Sequence, residues 1–259
     1  MKSDLSANGI LLLLLTLVCV ILAVTGLSAA LKMTIGEVSR RRKIVFVTTV
    51  AIFTWMIILA VLSVNGFFAD FSKLPPRPAL AILLPLPVVL LVAFSKKGTR
   101  FLQSVPRHWL VLMQSFRIMV EILLWFAFIT GKLPGQMTFE GRNFDVITGI
   151  LALPVGYLLS KGKSYSSKLG IIYNVIGMLF LLNILVVAVL SMPTTFRYFM
   201  NEPSNTLVAQ FPFIFLPGVL VPLAYSLHIF SLRQLLSKNK SKDFYQQESK
   251  TGGTDLGFA

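Results

Sequence analysis

The sequence predicts an all-α, polytopic bundle of seven membrane-crossing helices, with the N-terminus outside and the C-terminus in the cytosol. Three observations carry that expectation. Of 259 residues, 55% are hydrophobic and 13% charged, about half the charged share of a soluble domain. Seven apolar runs come near the roughly 17–25 residues that a bilayer demands. The net charge of +14 is concentrated on alternate loops. A basic nucleic-acid-binding domain would be polar throughout, so no nucleic-acid partner is expected. One cysteine, Cys19, excludes a disulfide scaffold.

The spans fall near 9–31, 44–65, 78–95, 108–130, 145–160, 169–191 and 207–231. Span 1 competes with a cleaved signal peptide, because Ser28-Ala29-Ala30 follows an apolar stretch. Its leading segment holds Lys2 and Asp4, so it has no net positive charge, and the cluster Arg40–Lys43 lies after the span; both favour a retained helix. Pro85 and Pro87 predict a kink in span 3. Pro154 does the same for span 5, and Pro217-Gly218 with Pro222 predict a break in span 7. Span 5 is the shortest. Loops end the spans with clear punctuation: the basic run at 40–43, Pro75-Pro76, the lysines and arginines of 96–107, and Pro193 and Pro203. Residues 1–237 thus form one transmembrane domain. Residues 238–259 are polar, end in a Gly-rich stretch and read as a disordered cytosolic tail.

Orientation follows from lysine and arginine bias. The loops after spans 1, 3 and 5, together with the tail, hold 17 of the 24 basic residues; the opposite loops hold 6, and Arg117 lies within a span. A missed or false span would scramble this alternation. The basic face is expected to lie against anionic lipid headgroups on the cytosolic side.

Ionisable groups in hydrocarbon are costly and ask for a partner or a purpose. Span 4 holds Arg117 and Glu121, about 14 and 20 Å from His108 at ~1.5 Å per residue, so they straddle the midplane. Their i, i+4 spacing puts them on one stripe with Gln114 and Trp125. The pair is either a structural ion pair or a binding site; in the second reading Arg117 holds an anionic group, Glu121 exchanges a proton and Gln114 orients the solute. Span 7 adds His228, placed near the inner boundary, with Tyr225 a turn before it; the two are a candidate proton relay, or a satisfied helix-end histidine. Asn174 and Asn183 of span 6 face opposite sides and do not share a site. The loop before span 5 holds Glu140, Arg142, Asn143 and Asp145, a candidate external mouth, although Asp145 also suits a helix N-terminus.

Several chemistries find no residues here. No lysine lies in a span, which removes a retinal Schiff base. Walker A, His-Glu-x-x-His and Gly-x-Ser-x-Gly motifs are missing. No metal site and no cofactor are expected; paired haem ligation by His108 and His228 is a minor alternative. Trp109, Gln114, Arg117 and Glu121, then Leu133-Pro134, Met137 to Asp145, Gly149, and the ending Val221-Pro222…Leu227-His228…Ser231-Leu232-Arg233-Gln234-Leu235 resemble a group of bacterial multi-pass membrane proteins of unknown function. The resemblance covers 106–155 and 212–236 and implies a bacterial cytoplasmic membrane, without a mechanism. The expected function is passage of a small polar or ionic solute. The alternative is a sensor or scaffold that docks a cytosolic partner through its basic inner loops and tail.

Overall fold

The computed structural model describes residues 6–162 and 165–251, with side chains as far as Ser237. Every regular element among them is helical. The α-helices are α1 (Ala7–Thr34), α2 (Val38–Val64), α3 (Arg77–Leu83), α4 (Leu86–Phe94), α5 (Lys96–Ser104), α6 (Arg107–Leu112), α7 (Phe116–Ile129), α8 (Asp145–Ser160), α9 (Ser166–Leu190) and α10 (Val221–Thr251).

Six stretches are long and apolar enough to cross a membrane: Ala7–Thr34, Val38–Val64, Arg77–Phe94, Arg107–Ile129, Ser166–Leu190 and Leu216–Ser237. They match six of the expected spans. The remaining one, α8, is an apolar helix of 16 residues, or about 24 Å. Large apolar side chains such as Phe46, Ile57, Leu91 and Phe94 stay exposed. A surface of that kind suits lipid rather than water.

The prolines of spans 3 and 7 interrupt their helices, whereas that of span 5 does not. Pro85 and Pro87 separate α3 from α4, and the Tyr225 hydroxyl donates to the Ile82 carbonyl at this break (3.1 Å). The α8 helix stays continuous through Pro154. Leu216–Leu220 is a π-helical turn ahead of α10. There the Trp55 indole donates to the Gly218 carbonyl at 2.8 Å, an oxygen that Pro222 cannot serve because it lacks an N–H. The last span therefore begins near 216 rather than 207. Residues 207–215 instead form a buried irregular segment with Leu207, Val208, Phe213 and Ile214 in the core.

The α1 helix belongs to the bundle. Leu12 and Cys19 sit in the main core beside Leu123 and Leu124 of α7, and Asn8 donates to the Leu123 carbonyl at 3.0 Å. The α5 helix, which the sequence left as loop, is capped by the Ser95 hydroxyl. It buries Leu102 and exposes Lys96, Lys97 and Arg100. Gln234 of α10 donates to the carbonyls of Leu102 and Val105 and ties the end of α5 to the bundle. The α10 helix runs on to Thr251, through much of the stretch read as a disordered tail; Lys, Gln and Glu propagate a helix well, and no proline or glycine intervenes before Gly252. Residues 252–259 lie outside the described residues. In the loop between the second and third crossings, Asp70 pairs with Arg77 at 2.7 Å. The Ser72 hydroxyl and amide, with Arg77, hold its carboxyl below the ordinary range.

The segment between α7 and α8 positions everything that follows. It leaves the end of α7, burying Leu133, Gln136, Met137 and Thr138, and Gln136 donates to the Ser191 hydroxyl just past α9 (3.0 Å). It then dips inward until Asn143 meets Glu121, some 12 Å below the end of α7 by helical rise. Only then does α8 begin. It runs antiparallel to α6 and α7, because Gly149 packs on Ile118 and Gly156 on Leu112. Irregular backbone at this depth is tolerated because it is buried in protein.

Candidate functional site

Arg117 is 2% exposed, Glu121 2% and Asp145 7%, so a cation and two carboxylates share the interior. The expected i, i+4 ion pair is not the arrangement found. Arg117 turns away from Glu121: its Nη2 lies 2.5 Å from Asp145 Oδ2, and its Nη1 lies 3.0 Å from His228 Nε2. Asp145 can reach it because it is the first residue of α8, and the inward loop delivers that end to the level of Arg117. A carboxylate at a helix N-terminus is also favoured by the dipole.

Asn143 organises the other carboxylate. Its Nδ2 donates to Glu121 Oε1 at 2.6 Å and to the Met137 carbonyl at 3.1 Å. Its Oδ1 accepts from the Asp145 amide at 3.1 Å. Both hydrogens of this amide are thereby committed and its oxygen is engaged, and the loop is tied to both α7 and α8. Glu121 Oε2 and Asp145 Oδ1 are buried and have no hydrogen-bond partner.

His228 is fully buried, a correction to the interfacial place the sequence assigned it. The cause is the shifted span: counted within 216–237, it lies mid-helix. The amide of Asn174 donates through Nδ2 to the Gly170 carbonyl and to the Ser231 hydroxyl. Its Oδ1 must then accept from His228 Nδ1, 2.8 Å away. This fixes the histidine proton on Nδ1 and leaves Nε2 as the acceptor for Arg117. Both ring nitrogens are engaged, so neither is open to iron, and His108 instead packs its ring against Trp109. Tyr173 completes the wall, with its ring 5.8 Å from that of His228 and its hydroxyl donating to the Thr148 carbonyl at 3.1 Å.

The other expected residues go elsewhere. Gln114 is buried in a 3-10 turn, Met113–Ser115, which twists it off the Arg117 stripe; it donates to the Ala224 carbonyl at 3.0 Å and holds this turn against α10. Tyr225 bonds to Ile82 rather than joining His228. Glu140 accepts from the Trp125 indole at 2.7 Å. Arg142 stacks over Phe199 at 5.1 Å, and its carbonyl accepts from Asn183. The proposed mouth is thus divided: Glu140 and Arg142 line an open depression with Gln136 and Asn201, whereas Asn143 and Asp145 belong to the interior.

That interior holds a cavity of about 70 Å³, where a single water needs ~10–15 Å³ on the same measure. Arg117, Glu121, Asn143 and Asp145 form its polar end. Its walls are apolar and come from α7, α9, the π turn and α10, among them Val120, Leu181, Leu216 and Leu220. Among the described residues, no grouping of His, Cys, Asp and Glu could hold a metal ion. Sequence reasoning missed Tyr173, Thr148 and Ser231. Each is an uncharged polar residue of a kind common in apolar helices, and only the packing of α8, α9 and α10 brings them together.

A family model described as Domain of unknown function (DUF8737) matches residues 77–236, well over half of the chain. The chain belongs to this family. The DUF8737 region runs from α3 into α10 and contains every residue of the Arg117 cluster; α1 and α2 lie outside it. No curated protein and no solved structure matches the chain.

Proposed function

We propose that this protein crosses the cytoplasmic membrane of a bacterium seven times, with its N-terminus outside, and lets a small polar or ionic solute pass through the bundle. The observation that carries the reading is the cavity ending on Arg117, Glu121, Asn143 and Asp145, with a carboxylate oxygen of Glu121 left without a partner. Buried charge without a full complement of partners is kept at a cost that binding a solute repays. Broken helices supply such sites in transporters, and the inward loop with α8 has that character: a helix that begins at mid-depth.

In this reading the parts divide the work. Asp145, His228 and Asn174 hold Arg117 in place as fixed scaffolding. Glu121, tied by one oxygen alone, is the group that exchanges a proton or meets the solute. The inward loop and α8 together make the fifth crossing, which reconciles a 16-residue helix with the strict alternation of basic loops. The basic inner face, including exposed Lys96, Lys97 and Arg100 on α5, lies on anionic headgroups.

The test is flux in proteoliposomes, using a panel of small labelled solutes of positive, negative and zero charge. Wild-type protein passes at least one of them, and Glu121→Gln lowers that rate at least tenfold. Equal rates for wild type, Glu121→Gln and protein-free vesicles across the panel would overturn the reading. A docking role through the basic face predicts otherwise: deleting 238–259 would abolish partner capture, whereas solute flux would survive that deletion.

A further inference from the structure

Two carboxylate oxygens at the cavity's polar end are left without a hydrogen-bond partner. Asn143 has both of its Nδ2 hydrogens committed and its oxygen engaged by the Asp145 amide. The Arg117 guanidinium is turned to Asp145 through Nη2, as an ion pair, and to His228 through Nη1. Glu121 Oε2 and Asp145 Oδ1 remain, both acceptors, both buried and both without a hydrogen-bond partner. Arg117 is matched by Asp145, so Glu121 is the carboxyl with no cation of its own in the cluster, and in its ionised form it lacks a counter-ion there. A carboxylate or phosphate solute would meet acceptors where it needs donors.

The walls narrow the class further. A metal ion such as Ca²⁺ takes six to eight oxygens, whereas the cavity offers two unpaired carboxylate oxygens and a lining dominated by side chains such as Val120, Leu181 and Leu216. An ammonium group carries several N–H donors on one charge, and an alkyl chain attached to it would be covered by those walls. Such a group is recognised by a few placed polar atoms in a mostly apolar cavity.

We propose that the cavity binds a small alkylammonium cation, its nitrogen between Glu121 Oε2 and Asp145 Oδ1 and its chain against α9 and the π turn. This rests on the reading of the cavity as a solute site and reverses the expectation that Arg117 holds an anion.

The test uses full-length protein in nanodiscs and three probes with matched carbon chains: propylammonium, propionate and 1-propanol, with sodium chloride as the ionic-strength control. Binding is read by calorimetry and by the shift in melting temperature. The expected result is saturable binding of propylammonium alone, weakened at least tenfold in Glu121→Gln and retained in Gln114→Leu, which alters a buried residue outside the cavity. Propionate or propanol binding as tightly as propylammonium would overturn the proposal. So would an unchanged affinity in Glu121→Gln, or no response to propylammonium beyond that to sodium chloride. The two readings fail separately. If vesicles pass anions or neutral solutes and ignore propylammonium, passage stands and cation selectivity falls. If propylammonium binds through Glu121 and nothing crosses, selectivity stands and passage falls.

Discussion

Arg117 has a choice of two carboxylates, and its choice of Asp145 over its helical neighbour Glu121 sets the electrostatics of the interior. Removing one partner of a buried ion pair is expensive because it leaves an uncompensated charge, typically about 3–5 kcal/mol. Residues in direct contact show coupling of about 0.5–3 kcal/mol in double-mutant cycles. We therefore expect a cycle of Arg117→Met and Asp145→Leu, read by unfolding in detergent, to give coupling at the upper end of that range. The matching cycle with Glu121→Leu should give less. Equal coupling in the two cycles would mean that Arg117 serves both carboxylates alike. The sequence placed all of these residues on the list of candidates, yet it paired them by helical spacing. Spacing of i, i+4 says which side chains are neighbours on one helix; it is silent on a competitor at the start of another helix, 28 positions further on.

Among the elements, α8 decides the most. It begins deep in the bundle and approaches α7 closely enough that small residues line the contact. A Cβ on Gly149 would lie 2.9 Å from the Ile118 backbone nitrogen and 2.8 Å from its side chain. One on Gly156 would lie 2.5 Å from Leu112 Cδ2 and 2.6 Å from its Cγ, side-chain atoms that a rotamer change moves, with no backbone among the nearest atoms. Overpacking costs about 1–3 kcal/mol where the surroundings cannot yield. Gly149→Ala should therefore lose stability in that range, and Gly156→Ala distinctly less, in parallel thermal melts. If Gly149→Ala melted with the wild type, α8 would not be seated on α7 as described. This element was only partly legible beforehand. Its apolar length was read correctly as 145–160, whereas its inward approach loop was not, because 131–144 carries turn residues and no period. The amphipathic α5 was missed for a related reason: nine residues of mixed character fall below any crossing length.

At the scale of the whole molecule, the six long apolar helices and the charge distribution are separate facts that bear on one topology. Six crossings would return the chain to the side on which it began, whereas six plus the loop-and-α8 crossing leave the termini on opposite sides. Single cysteines at Ser3 and Ser237, in a background where buried Cys19 is replaced by alanine, distinguish the two cases. With an impermeant thiol reagent on intact cells, we expect the Ser3 position to label and the Ser237 position to label only after permeabilisation. Labelling of both from outside would reduce the count to six and would require α8 to be a hairpin partner rather than a crossing.

The sequence by itself determined the class of this protein. Apolar composition, run length and the placement of lysine and arginine are one-dimensional properties that answer to the bilayer, so they need no fold to be read. It also showed which polar residues are unusual, since any ionisable group in a long apolar run stands out. What only the tertiary structure decided is how those residues are spent. Asn143 was read as part of an outer mouth and instead fastens Glu121; His228 was read as interfacial and instead steadies Arg117. Both assignments depend on hydrogen bonds between residues 22 and 111 positions apart, which follow from how helices and a buried loop pack. In hydrocarbon, a polar group accepts whichever partner the packing brings within reach, because no water competes for it.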